Sequence, residues 1–534
     1  MSAALSDQGQ VDFDVVLVGA GPTGLTLALL LAGRGHHVAL VERWPQPYPQ
    51  PRAIGLDQEA LRLMRQAGAD ERVQQVLQWS AELAEAHYVT PDGEILMRMP
   101  VRERGESGWP DMVAFNQPDV EACLEDLVNE SPRIKVMRNA IVMGLVRHDD
   151  AAQVRYLSGD GNGEPRAGAV PRTLTARFVV GCDGANSFIA SELKPGWTDL
   201  GFSSDWLVVD IRPTVERQWV PFLAEVLDPL RPTTVAPAGP GRRRFEFMLM
   251  PGETKESMST PEAIWRLLGR WNVTPQNCEL VRAVVYRFKG RWADDWRDGR
   301  VLLAGDAAHL TPPFLGQGFN SGIRDAGNLA MYLDLVLRRL APVALLDRYT
   351  EERAPHVGAL IRRAVELGHH ICITDPEQAR MRDEGLRTMR DSGVTPLAER
   401  VPLVGGVLAD NDALAGTLSH QGRVDNGAAS GMFDDVCANG HFVLIGADAD
   451  PQTHLGPQAR ALWARLGGAS FHIGEAAPWR DVEGVYKAWM GGAGATVVLI
   501  RPDYHVFGSG PSGADADRLV LELGRKLGLS GAAA

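Results

Sequence analysis

The sequence predicts an α/β protein of two or three packed units. A nucleotide-binding domain is interleaved with a separate β-sheet, and a further α/β unit follows. Three observations carry this. The chain has 534 residues, three or four times a typical domain. A short β run enters a glycine-spaced turn and a helix within the first 35 residues, and a second glycine-rich loop opens a helix about 290 residues later. Between them, Leu83 to Arg98 and Trp206 to Glu253 alternate polar and apolar residues in places, as strands of a large sheet do.

Composition narrows the class before any motif is read. Apolar residues make up 45% and charged residues 23%, which excludes a disordered or fibrous chain. A net charge of −13 speaks against nucleic acid as the main partner, because phosphate binding needs clustered Lys and Arg. The five cysteines are scattered without C-x-x-C, so they read as reduced thiols of a cytoplasmic protein with no metal site. The N-terminus lacks the basic and apolar regions of an export signal. Val15 to Gly33 is uncharged and about as long as a membrane span, but its glycines and Pro22 stop a strand and start a helix, so no membrane is expected.

The first element is the buried strand Phe13 to Val18, leading into Gly19-Ala20-Gly21-Pro22-Thr23-Gly24, a helix, and a second strand from His37 to Val41. This is the Rossmann-like β-α-β pattern for dinucleotides. Gly19 permits the turn, Gly21 lets a pyrophosphate approach the backbone, and Gly24 allows close helix–strand packing. The helix N-terminus offers free N–H groups and a partial positive charge to phosphates. Glu42, 21 residues after Gly21, can accept a bond from a ribose hydroxyl, with Arg43 beside it. Arg52 could hold a phosphate or a ring carbonyl. Asp57 stands at the entry of a helix from Gln58 to Gln66, where an N-cap is the commoner use. Gln117 precedes another helix, Asp119 to Glu130, and could bond a ligand as well as solvent.

Arg177 to Val180 is a buried strand closing in Gly181-Cys182-Asp183-Gly184. The strand Arg300 to Ala304 ends in Gly305-Asp306-Ala307-Ala308-His309, followed by Pro312-Pro313, the loop Leu315 to Asn320 and a helix from Ser321 onward. A carboxylate at a strand end can hold ribose, and the loop again presents N–H groups. Tyr349 to about Arg390 reads as helical. The adjacent His369 and His370 point in different directions on a helix and make no metal pair.

GAGPTG, CDGANS and RVLLAGDAAHLTPPFLGQGFNSGIRDAGNLA together resemble the group A flavoprotein aromatic hydroxylases, with a fold like that of p-hydroxybenzoate hydroxylase. PRAIGLDQEALR and RRFEFMLMPGET look like the 3-(3-hydroxyphenyl)propionate and 3-hydroxycinnamate hydroxylases within them. The similarity runs from about Asp12 to Arg501. It implies bound FAD, a transient NADH or NADPH, and O2 delivered through a flavin C4a-hydroperoxide to a carbon ortho to a phenol. The implied substrate is 3-(3-hydroxyphenyl)propionate. The alternatives are another phenol (a polyketide, hydroxybenzoate or resorcinol), an oxidase or dehydrogenase, or a flavin-binding protein without turnover.

The resemblance also assigns residues. Gly19, Gly21 and Gly24 would hold the pyrophosphate, Glu42 the adenosine ribose, Arg52 and Gln117 the middle of FAD, and Asp306 the ribityl chain. Pro313, Gly316, Gln317, Gly318 and Asn320 would face the flavin ring. Asp183 and Gly184 would serve both FAD and the coenzyme, although Ala190 stands where the family has Arg. Asp57, with His309 second, is the candidate for assisting loss of the phenol proton, and Arg212 or Arg244 for a substrate carboxylate. The expected division is an FAD domain within 1–400 (about 12–85, 115–190 and 290–395), an inserted substrate sheet (about 86–114 and 191–289), and a unit over 401–534 that resembles a thioredoxin-like domain. Its one cysteine, Cys437, rules out dithiol exchange and leaves packing or a homodimer contact.

Overall fold

The computed structural model describes residues 11–69, 71–80, 84–394, 400–437 and 440–529. Phe13–Val18 is the centre of the first sheet because its residues are apolar on both faces, as a strand covered by helices on both sides requires. It pairs in parallel with Arg172–Gly181 on one side and Val38–Val41 on the other. Val301–Leu303 and Ile134–Met137 extend these parallel ladders outward. The glycine helix Pro22–Gly33 packs on this sheet, with Leu25 to Leu31 buried.

The second sheet has eight strands, mostly antiparallel. Its spine is the pair Trp197–Pro213 and Cys278–Ala293. Arg243–Met248, Thr233–Pro237, Ala224–Val226, Glu85–Val89 and Ile95–Pro100 follow in that order. One face packs on the helix Pro261–Gly269 through Leu207, Val209, Phe245, Phe247 and Leu268. The other faces the first unit.

A single stretch stitches the two sheets together. After Val301–Leu303 leaves the parallel sheet, His309–Leu310 pairs with Arg291 and Trp292 of the second sheet. The chain then runs through Pro312 and Pro313 into the helix Gln317–Leu337. That helix begins four residues earlier than the sequence suggests, because Gly316 takes a left-handed turn (φ 63°) and becomes its N-cap. The helical stretch after Tyr349 is two helices, Asp347–Ile371 and Pro376–Asp391, the second started by Asp375 as N-cap and Pro376.

The C-terminal unit is a seven-stranded mixed sheet. Val443–Gly446 lies parallel to Ala469–Gly474 and antiparallel to Val497–Ile500, which turns into Val506–Gly510. The helices Pro457–Leu466 and Asp515–Lys526 belong to the same unit, giving the thioredoxin-like α/β arrangement. Burial pushes the Cys437 thiol up to about 12, so it is no nucleophile at neutral pH. Among the described residues no helix is long and apolar enough to cross a membrane.

Candidate active site

The two glycine elements meet although about 290 residues separate them. A Cβ at Gly322 would lie 2.3 Å from the Thr23 hydroxyl, and one at Gly305 would lie 2.7 Å from it. The N-termini of Pro22–Gly33 and Gln317–Leu337 therefore open beside each other, and neither has a side-chain cap. Gly19 (φ 105°) sits against the Cys182 carbonyl, and a Cβ at Gly24 would lie 2.1 Å from the Gly19 oxygen. Gly21 differs from both. Its φ of −79° suits any residue, and no protein atom lies within 4 Å of a Cβ built there.

That contrast tests the fit of FAD. Protein packing explains Gly19 and Gly24 but gives no reason for glycine at Gly21 or at Gly318, where a Cβ also meets nothing. A ligand running along both helix N-termini supplies the reason. Asp306 agrees with it, being exposed between buried Gly305 and Ala307 at the strand end. The residues present fit the cofactor.

Glu42 braces the turn, accepting from the Ala20 N–H at 2.7 Å and the Trp44 N–H at 2.8 Å. Arg43 is exposed and donates to the Gly163 carbonyl at 2.9 Å. Arg52 is exposed, its guanidinium 5.5 Å from the Tyr48 ring centroid. Gln117 is buried and accepts from the Ala53 N–H at 2.7 Å while donating to Glu121, so its amide shapes the Arg52 loop. Asp183 caps the turn after its strand by accepting from Ser187 and from the Ile189 N–H, and burial raises its carboxyl above the usual range. Gly184 takes a positive φ of 79° in that turn. Ala190 is buried against the core.

Four expectations need correction. Asp57 does cap its helix, accepting from the Ala60 N–H at 2.9 Å, but its other oxygen pairs with Arg324, which removes it as a free base. His309 is fully buried and its Nε2 lies 2.7 Å from Asp325, so it cannot reach a substrate. Arg212 is a surface side chain, 53% exposed and 3.8 Å from Glu279. Arg244 is buried, bidentate to Asp210 at 2.7 and 2.9 Å, and it donates to the Arg52 and Pro51 carbonyls. It fastens the Arg52 loop to the sheet and leaves no charge for a substrate carboxylate.

Arg324, absent from the sequence expectations, organises the loop at the helix start. Its Nε donates to Glu59 at 2.6 Å, its Nη1 to the Gln317 amide oxygen at 2.8 Å, and its Nη2 to Asp57. Burial opposes charge on Glu59, yet Arg324 and then His505 hold its carboxyl down at about 2. Asn320 completes the clasp, donating to the Gly316 carbonyl at 2.7 Å and the Gly55 carbonyl at 3.2 Å. No spacing rule connects Glu59 to Arg324 across 265 positions.

The aromatic wall is the second sheet's inner face. Phe314, from the Pro313–Leu315 turn, lies edge-on to Trp206 at 5.7 Å and to Phe288 at 6.2 Å. Register places Arg282, Asp210 and Arg244 in one row of this face and Tyr286, Trp206 and Met248 in another. Arg282 also escaped the sequence reading. It is buried, bonds the Tyr286 hydroxyl, and keeps Nε and Nη1 without a hydrogen bond among the described residues. Among the described residues no cluster of three His, Cys, Asp or Glu side chains is placed to hold a metal.

The model of the FAD binding domain matches residues 12–364, and that of the HcaD C-terminal domain matches 416–525. A probable NADH-specific resorcinol 4-hydroxylase of Rhodococcus jostii (strain RHA1) is 34% identical over 96% of this chain and 95% of its own. A 3-(3-hydroxy-phenyl)propionate/3-hydroxycinnamic acid hydroxylase of Paraburkholderia xenovorans (strain LB400) is 33% identical over 93% and 89%. Among solved structures, aklavinone-11 hydroxylase with FAD and aklavinone superposes with a TM-score of 0.78 at 23% identity, covering 98% of this chain and all of that one.

Proposed function

Because the chain belongs to the FAD-binding family of aromatic-ring hydroxylases, we propose that its substrate is a meta-substituted phenol, hydroxylated next to the phenolic carbon. Bound FAD supplies hydride acceptance from a nicotinamide coenzyme and activation of O2. The overall balance is phenol, O2, reduced coenzyme and a proton going to catechol-type product, water and oxidised coenzyme. Two relatives support the substrate class, since their printed names share a ring with a substituent meta to a hydroxyl.

The observation that carries the reading is the position of Phe314. One short loop opens the helix, whose Gly316 cap has no side chain, and also lays an aromatic ring on the inner sheet face, so cofactor and ring substrate meet there. The chain's own work is positional. Arg324 and Asn320 fix the loop, Arg244 closes the Arg52 segment over the sheet, and Trp206, Phe288 and Phe314 keep the space dry. Asp57 and His309 no longer serve as proton acceptors, so the ring's proton leaves by another route.

The test is consumption of NADH and NADPH by FAD-loaded protein with and without resorcinol and 3-(3-hydroxyphenyl)propionate, with hydroxylated product and peroxide assayed together. Substrate-stimulated consumption matched by product supports the reading. Consumption that yields only peroxide with every meta-substituted phenol counts against the substrate class, and absence of flavin reduction counts against turnover.

A further inference from the structure

We infer that the sheet face around Phe314 takes a neutral, multiply hydroxylated ring, and that Glu225 selects it by hydrogen bonding the ring's second hydroxyl. This rests on the reading of that face as the phenol pocket. Directly paired residues of neighbouring strands project from the same face. The register therefore lines up Met97, Tyr88, Glu225, Thr234, Glu246, Val208 and Val284 across seven strands. The next row holds Trp206 and Met248, and Trp206 is the residue Phe314 touches. Phe314 also packs in one apolar cluster with Tyr88, Met97 and Cys372, the immediate surroundings of Glu225.

Within that row Glu225 accepts from the Thr234 hydroxyl at 2.6 Å, and its charged neighbour is another acid, Glu246. It keeps some accessible surface although protein surrounds it. Of the two arginines in the neighbouring row, one is committed and the other is distant from Glu225. Arg244 is held by Asp210 and the loop carbonyls, and Arg282 lies four strands away, roughly 19 Å at the usual strand spacing. Burial and Glu246 push the Glu225 carboxyl up to about 8, so it is mostly protonated at neutral pH and can donate as well as accept. A ring hydroxyl satisfies such a group. A substrate carboxylate placed at Glu225 would sit beside two acids in a buried site.

The experiment titrates FAD-loaded protein with resorcinol and with 3-(3-hydroxyphenyl)propionate, following the flavin absorbance change, and repeats both titrations on E225Q and E225L. FAD content and Tm establish that each variant is folded. Resorcinol is expected to bind about tenfold or more tightly than the acid. E225L should lose about tenfold in resorcinol affinity, the effect of one hydrogen bond to a buried partner, while E225Q, neutral and able to donate, should lose less. Preference of the wild type for the acid would overturn the inference and leave the pocket reading standing, as would an unchanged ratio in E225L. If neither ring perturbs the flavin, the pocket reading falls and takes the inference with it.

Discussion

Gly21 and Gly24 need glycine for different reasons, and substitution separates them. Gly24→Ala forces a methyl 2.1 Å from the Gly19 carbonyl oxygen, so the helix must move off the strand. We expect a loss of about 2 kcal/mol or more, measured by urea unfolding. Gly21→Val puts its Cβ where no protein atom lies within 4 Å, so the apoprotein should unfold within about 0.5 kcal/mol of wild type while FAD affinity falls at least about tenfold. Loss of stability without loss of FAD binding in Gly21→Val would contradict the cofactor path. At this scale the sequence showed the glycine turn and the Asp57 cap, because both follow from near neighbours. It did not show that Asp57 and Arg244 are neutralised, since their partners Arg324 and Asp210 lie 267 and 34 positions away.

The helix Gln317–Leu337 is held along its whole length by buried charge. Arg324 meets Glu59, and Asp325 accepts from the Gly305 N–H at 2.9 Å, from Arg353 at 2.9 Å and lies against His309. Asn328 donates to Glu352 and to Asp503. Glu59 has a folded-state value of about 2 against an ordinary 4.5, so its contribution is present above pH 4.5 and is lost as pH falls from there through 2. In Arg324→Met the carboxylate stays buried without that partner. We expect about 3–5 kcal/mol of destabilisation at pH 7. The wild-type decline between pH 4.5 and 2 should flatten or reverse, read by urea unfolding across that range. A freed Gln317 should also shift the flavin absorbance maximum, which a purely structural role for Arg324 would leave in place. The helix itself was legible from its glycine-rich start and apolar run. Its first turn was not, because the left-handed Gly316 cap is a backbone choice that the adjacent prolines conceal.

Across the whole molecule, buried ion pairs join the C-terminal unit to the FAD unit. Arg501 donates to Glu352 at 2.7 and 2.8 Å and to Asp503 at 3.0 and 2.6 Å, all of them buried, and Arg62 is bidentate to Asp434. Glu352→Ala should cost about 3–5 kcal/mol and keep a single calorimetric transition, since the unpaired Arg501 penalises both units at once. Two separate transitions would show that the units fold independently. The sequence displayed both units through their periodicity, but not the bolt between them, because an Arg, a Glu and an Asp 149 and 2 residues apart carry no local signature. The threading of the parallel sheet has a consequence for the ribosome. Phe13–Val18 is made before the other strands of its sheet, yet one of its two neighbours arrives only at Arg172–Gly181 and the second cofactor helix only from residue 317 onward. Arg501 and Asp503, which secure that helix, are made later still. The nascent chain must therefore carry an unfinished central strand while the residues between its partners are made, so cofactor capture follows that interval, and the long exposure falls on apolar FDVVLV rather than on the loop that opens the second helix.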